Sequence, residues 1–298
     1  MNKFNIFLYS FGRSGSEEGK FNYPKGITCD HDGNYVICDL NNHRIQVFTS
    51  KCEFLHSFGK YGFEKGKFNY PRGITCDHDG NYVVCDTYNH RIQVFSNKGK
   101  FFYSFGKYGK EEGQFNYPKG ITCDHDGNYV VNDTYNHRIQ VFTSKGEFLH
   151  SFGSLGPEEG QFNYPEGITC DHDGNYVICD TYNHRIQVFS KECKFLNSFG
   201  KYGKEEGKFN YPDGITCDHD GNYVVCDTYN YRIQVFSKKG EFIHSFGSIE
   251  YPRGIMCDHD GNYVICDTYN HRIQVFKGPS EVPSLLSLCW KKIKIDNF

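Results

Sequence analysis

The chain has 298 residues, 38% of them hydrophobic, and 33 Lys and Arg stand against 36 Asp and Glu for a net charge of −3. Such an apolar fraction supports a full core and excludes both a disordered chain and a small disulfide-held scaffold. The charge balance excludes a strongly basic nucleic-acid binder while leaving a local basic patch open, and no apolar run approaches the ~18 residues of a membrane span.

The first ten residues, Met1 to Ser10, lack the compact apolar stretch and small-residue cleavage site of a signal peptide. They lead into a strand-length run, Phe7-Leu8-Tyr9-Ser10-Phe11-Gly12, which returns 47 residues later as Phe54-Leu55-His56-Ser57-Phe58-Gly59. Phe21-Asn22-Tyr23-Pro24 then opens a unit repeated at Phe68, Phe115, Phe162 and Phe209, with a sixth, shortened opening at Tyr251-Pro252. The second unit shows the pattern: Pro71 to Asp77, Asn81 to Asp86, Arg91 to Phe95 and Phe101 to Gly106 are four strand-length runs separated by turn residues. No segment keeps helical periodicity over three turns, and the chain has no alanine. Four short strands per 40–47-residue period predict an all-β, six-bladed β-propeller of four-stranded antiparallel blades, starting near 21, 68, 115, 162, 209 and 249. The sixth unit stops at Phe276 without its fourth strand, so residues 4–12 are expected to complete blade six and close the ring within a propeller spanning 1–276. Residues 277–298, with Pro279, Pro283 and Trp290, fall outside the repeat and read as a tail packed under a blade or frayed.

Gly-Ile-x-x-Asp, Asp-Gly-Asn and Asn-His-Arg-Ile-Gln-Val-Phe recur in the units, and this set resembles the NHL repeat over residues 4–276. The resemblance implies a ring like that of TRIM-NHL type regulators. Some of those bind RNA on the loop face, and others present substrates to a ubiquitin-ligase module. Similar propellers in peptide-amidating lyases and lactonases hold zinc or calcium.

The candidate chemistry is sorted against that background. Six cysteines share the first-strand slot (such as Cys76) and five the second (such as Cys85), while Asn132 breaks the second series. A disulfide framework would not tolerate that break, so Cys reads as a small core hydrophobe and the free thiols imply a reducing, cytoplasmic setting. Asp30-His31-Asp32-Gly33-Asn34 and its copies have Gly at the fourth loop position and no closing Glu, which favours hairpin turns over calcium loops. His43, His90, His137, His184 and His271 could ring a metal. The plainer reading is that Asp86, Asn89, His90, Arg91 and their copies hold the turn between strands two and three. No nucleophile elbow, phosphate loop or HExxH motif appears, and near-identical blades supply few unlike groups for catalysis.

The blades differ most between Pro and Gly at the start of strand one, where Lys25, Arg72, Lys119, Glu166, Asp213 and Arg253 stand in turn. Lys25, Arg72, Lys119 and Arg253 are expected to form an exposed basic arc. Tyr88, Tyr135, Tyr182, Tyr229 and Tyr269 emerge from turns on the same face. The link from blade five to six is seven residues shorter than the others and is expected to open a notch beside Arg253. Arg and Tyr together suit a protein interface, and single-stranded RNA is the alternative. The reading is therefore a non-enzymatic docking module for a protein partner, with no cofactor or metal assigned. A metal-dependent lyase or lactonase is the third possibility.

Overall fold

The computed structural model describes residues 6–278, and these form six four-stranded antiparallel sheets that close as a ring. The reading of residues 279–298, including Trp290, falls outside the described residues, as do residues 4 and 5. In the second blade the inner strand Pro71–Cys76 is followed by Tyr82–Asp86, Arg91–Phe95 and the outermost strand Phe101–Phe105. The central pair is in uninterrupted register, Val83 opposite Val94 and Cys85 opposite Ile92. Both faces of these strands are buried, because each blade packs between two others. Val83, Cys85, Ile92 and Val94 of blade two meet Phe115, Ile121, Tyr129, Val131 and Phe142 of blade three in one cluster. The core thus lies between blades, and the ring gains its stability as a whole.

Small residues let the inner strands approach. A Cβ added at Gly73 would overlap the carbonyl of Lys119 in the next blade, so only Gly fits there. The second-strand cysteines, such as Cys85, are fully buried in the inter-blade core, and the described cysteines are all free thiols. Burial pushes the half-buried first-strand thiol of Cys76 up to about 12, which leaves it unreactive. At the slot where cysteine is missing, Asn132 Nδ2 donates to the Glu166 carbonyl at 2.8 Å while its Oδ1 stays buried without a donor.

The hairpin turns are self-contained. Asp77 Oδ1 accepts from the backbone N–H groups of Asp79 and Asn81, at 3.0 and 2.8 Å. Its Oδ2 accepts from Asn81 Nδ2 at 3.2 Å and from the Tyr129 hydroxyl of the next blade at 2.9 Å. The carboxylate is therefore spent on the turn and on the neighbouring blade. The same tie links Tyr82 to Asp30 at 2.9 Å, and Tyr35 to Asp258 at 2.9 Å across the closure. Tyr82→Phe removes a buried hydrogen bond to a charged group, and should cost about 1.5–3 kcal/mol in a urea titration. A loss below ~0.5 kcal/mol would show that the tie is dispensable.

Closure follows the arithmetic of the repeats. The N-terminal strand Phe7–Phe11 pairs antiparallel with the last strand, Arg272–Phe276, setting Tyr9 opposite Val275 and Phe11 opposite Ile273. Blade six accordingly has the chain's first strand outermost and three strands from its end inside.

Candidate binding face around the central channel

The six residues between Pro and Gly converge on the axis of the ring. With the following Gly and Ile of each blade they line a central cavity of about 90 Å³. Lys25 crosses the channel: its Nζ lies 2.9 Å from Glu166 Oε2 and 3.2 Å from Asp213 Oδ2, in blades four and five. Lys119 Nζ meets Glu166 Oε1 at 2.5 Å, and Arg253 Nη1 meets Asp213 Oδ2 at 2.6 Å. Burial pushes the Glu166 carboxyl up, yet Lys119 and Lys25 hold it well below the usual carboxylate range. Burial pulls the Lys25 ammonium down to about 8, against the pull of Asp213 and Glu166, so it stays charged at neutral pH.

This corrects the expectation of an exposed basic arc. Lys25, Glu166 and Asp213 are buried and Arg72, Lys119 and Arg253 half-buried, because the slot faces the axis rather than the loop surface. The two acids absorb three of the cations. Arg72 is left over: among the described residues it has no carboxylate partner, and its Nε is buried without an acceptor. Four cations against two carboxylates leave a surplus of two positive charges around the channel.

Around this axis the turn tyrosines behave as a set. Tyr88, Tyr135, Tyr182, Tyr229 and Tyr269 are each 42–47% exposed, on 3₁₀ turns between strands two and three. Sequence reasoning missed their partners, the Tyr before each Pro. Tyr70, Tyr88, Tyr117, Tyr135, Tyr164 and Tyr182 pack in an unbroken series with centroids 4.9 Å apart, tilted within a blade and edge to face between blades. The series continues through Tyr211, Tyr229, Tyr251 and Tyr269 to Tyr23. It breaks only between Tyr23 and Tyr70, where blade one carries Asn41 in the tyrosine slot. Each pre-proline Tyr sits at φ between 49° and 57°, a left-handed conformation uncommon for a bulky residue. The recurring Asn-Tyr-Pro was the signal available in the sequence, but its backbone geometry was not.

The histidines hold that geometry rather than facing the channel as a ring. His43, His90, His137, His184 and His271 accept, at Nδ1, the backbone N–H of the pre-proline Tyr in the next blade at 3.1–3.2 Å. Burial lowers His43, His90, His137 and His184 below their usual 6.5. A histidine lowered on folding takes up protons more readily when unfolded, so this contribution is full above pH 6.5 and is lost as pH falls below it. The thermal midpoint should therefore drop from about pH 7.5 to about pH 5.5. His90→Gln should make that drop shallower, and an unchanged slope would refute the acceptor role.

Under each turn, one buried carboxylate gathers the remaining donors. Asp86 Oδ2 accepts from Asn89 Nδ2, Arg91 Nε and Gln93 Nε2 at 2.8–3.0 Å, and its Oδ1 from the Asn69 N–H at 2.7 Å. The Asp, Asn and Arg of this cluster were legible as turn holders; Gln93 was not. The opening expected beside Arg253 lies elsewhere, since Arg253 is engaged by Asp213 and the shortened link uncovers Arg272 instead. Among the described residues no group of three or more His, Cys, Asp or Glu is placed to hold a metal.

Comparison with known proteins agrees with this architecture. A family model described as the NHL repeat matches residues 21–48, 68–95, 115–142, 162–189, 209–236 and 250–276. The B-box type zinc finger protein ncl-1 of Caenorhabditis elegans is 43% identical over 49 residues, 16% of this chain and 6% of that protein. Protein brain tumor of Drosophila melanogaster is 37% identical over 49 residues, 16% of this chain and 5% of that protein. The match thus spans a small part of either relative. A virginiamycin B lyase from Staphylococcus aureus is similar in structure with a TM-score of 0.65 at 17% identity, over 92% of this chain and 98% of that one. At that identity the likeness concerns the fold alone.

Proposed function

We propose, from the premise that this chain belongs to the NHL repeat family, that the ring docks a protein partner on its tyrosine-lined face, with an acidic segment of that partner reaching toward Arg72. The observation that carries the reading is a coincidence of two asymmetries. The unpaired guanidinium belongs to blade two, and the tyrosine belt opens at Asn41, between the tyrosines of blades one and two. A surplus cation flanked by half-exposed aromatics suits an anionic protein segment, since Arg and Tyr contribute most at interfaces. The near-identity of the blades supports binding over catalysis. In this reading the ring selects a partner for another module, as in ubiquitin-ligase-type regulation. Its free thiols suit a reducing compartment such as the cytoplasm.

The test is capture from a lysate on immobilised wild-type ring, Arg72→Glu and Tyr88→Ala, with and without ribonuclease, after circular dichroism has verified folding. The expected result is a set of proteins held by the wild type, lost from both variants and insensitive to ribonuclease. Capture abolished by ribonuclease would move the reading to single-stranded RNA, for which the tyrosine belt offers stacking surfaces. Capture unaffected by Arg72→Glu would remove the channel from the site.

A further inference from the structure

Five blades hold their incoming loop by one device. In blade five, Asn230 Nδ2 donates to the Gly203 carbonyl at 2.8 Å. Arg232 Nη2 donates to the carbonyls of Glu205 and Lys208 at 2.7 and 3.0 Å. Gln234 Nε2 shares the Lys208 carbonyl at 2.7 Å, and its Oε1 accepts the Gly207 N–H at 3.0 Å. The loop carrying these groups, Lys201 to Lys208, reads Lys-Tyr-Gly-Lys-Glu-Glu-Gly-Lys. The same bonds recur in blade one, where Asn42 reaches Gly15 and Arg44 reaches Glu17 and Lys20.

Blade six retains the holder and lacks the loop. Only Ser248, Ile249 and Glu250 separate Gly247 from Tyr251. Ile249 fills the core position of the missing loop's Phe and is fully buried, its N–H donating to the Tyr231 carbonyl at 3.0 Å. Asn270, Arg272 and Gln274 still converge on the buried Asp267, at 3.0, 2.6 and 2.6 Å. Among the described residues, the atoms that grip the loop elsewhere have nothing to grip: Arg272 Nη2, Gln274 Oε1 and the outward face of Asn270 have no partner there, and the three side chains bond only to Asp267. The Arg272 side chain is 40% exposed, where its five counterparts are 13–16% exposed.

We propose that this notch receives a turn from a protein partner: an acidic Gly-x-Glu-Glu-Gly segment that offers its main-chain carbonyls to Asn270, Arg272 and Gln274, as the loops of the other five blades do in cis. The receptor is preorganised, because Asp267 pins all three side chains and little freedom is lost on binding. The guanidinium fork prefers paired carbonyl or carboxylate oxygens, and the cation attracts an acidic turn. Shape is demanded as well. The gripped loop needs Gly207 at φ 74°, which a β-branched residue cannot adopt without strain. The notch lies at the edge between blades five and six, apart from Arg72 and the break in the belt, so it stands or falls separately from the docking reading above.

The test titrates an eight-residue peptide with the sequence of residues 201–208 into the isotope-labelled chain, and follows the Arg272 Nε–H and the Asn270 and Gln274 side-chain amides by nuclear magnetic resonance. A second chain replaces Ser248–Glu250 with a copy of residues 201–210 and carries Tyr231→His, so that its own loop fills the notch. Saturable shifts at these three groups in the unmodified chain are expected, with none in the loop-restored chain. A peptide in which the residue matching Gly207 is Val should bind at least about tenfold more weakly. No shift in the unmodified chain, equal shifts in the loop-restored chain, or equal binding of the Val peptide would each overturn the proposal.

Discussion

A chain lacking residues 1–12 should unfold cooperatively at a midpoint about 10 °C lower than the intact chain, a loss of about 3–5 kcal/mol. The size follows from what the first strand covers. Phe11 packs against Phe48 at 5.2 Å and stacks over Tyr35 at 6.2 Å, so it belongs to the seam between blades one and six. Phe7 meets Phe276 edge to face at 5.6 Å. Truncation bares the Arg272–Phe276 strand as an open edge and thins the core that contains Ile273 and Val275. The loss is shared by the whole ring, since every blade buries its core against its neighbours. Urea titration of both chains reads it directly, and coincident midpoints would show that the closing strand adds nothing to stability.

Glu166→Gln should cost a similar 3–5 kcal/mol, because it removes the carboxylate that answers the ammoniums of buried Lys25 and half-buried Lys119 while leaving both in place. Lys119 and Lys25 hold that carboxyl well below its ordinary 4.5. A depressed carboxylate contributes stability above its unfolded value and loses it as pH falls through its folded value. The gap between wild type and Glu166→Gln should therefore be full at neutral pH and close in acid. Adding Lys119→Gln to Glu166→Gln should recover part of the loss, since Lys25 keeps Asp213 at 3.2 Å. A double variant no more stable than the single one would show that the Lys119 pair carries no coupling.

The recurrence of Phe-Asn-Tyr-Pro, the Asp-Gly turns and the quarter-blade at the start were enough to read six blades and the strand that closes them. Local rules suffice for these because each strand and turn is specified within its own unit. The second-strand cysteines were legible for the same reason, as small residues in a strand buried on both faces.

The channel was not legible. Lys25 and Glu166 are 141 residues apart, and their pairing exists only because closure brings blades one and four face to face across an axis. Read along the chain, the six variable residues are three bases, two acids and a final base; folded, they answer one another and leave Arg72 without a carboxylate among the described residues. Likewise, Tyr88 and Tyr117 look like unrelated aromatics until the loop of one unit is laid beside the turn of another. The sequence by itself determined the repeat, the strand pattern and the closing strand, because short-range periodicity and turn chemistry encode them. Only the tertiary structure decided which charges are neutralised, which tyrosines touch and where the missing loop leaves Arg272 more exposed than its counterparts, because those depend on distances between units that no local pattern records.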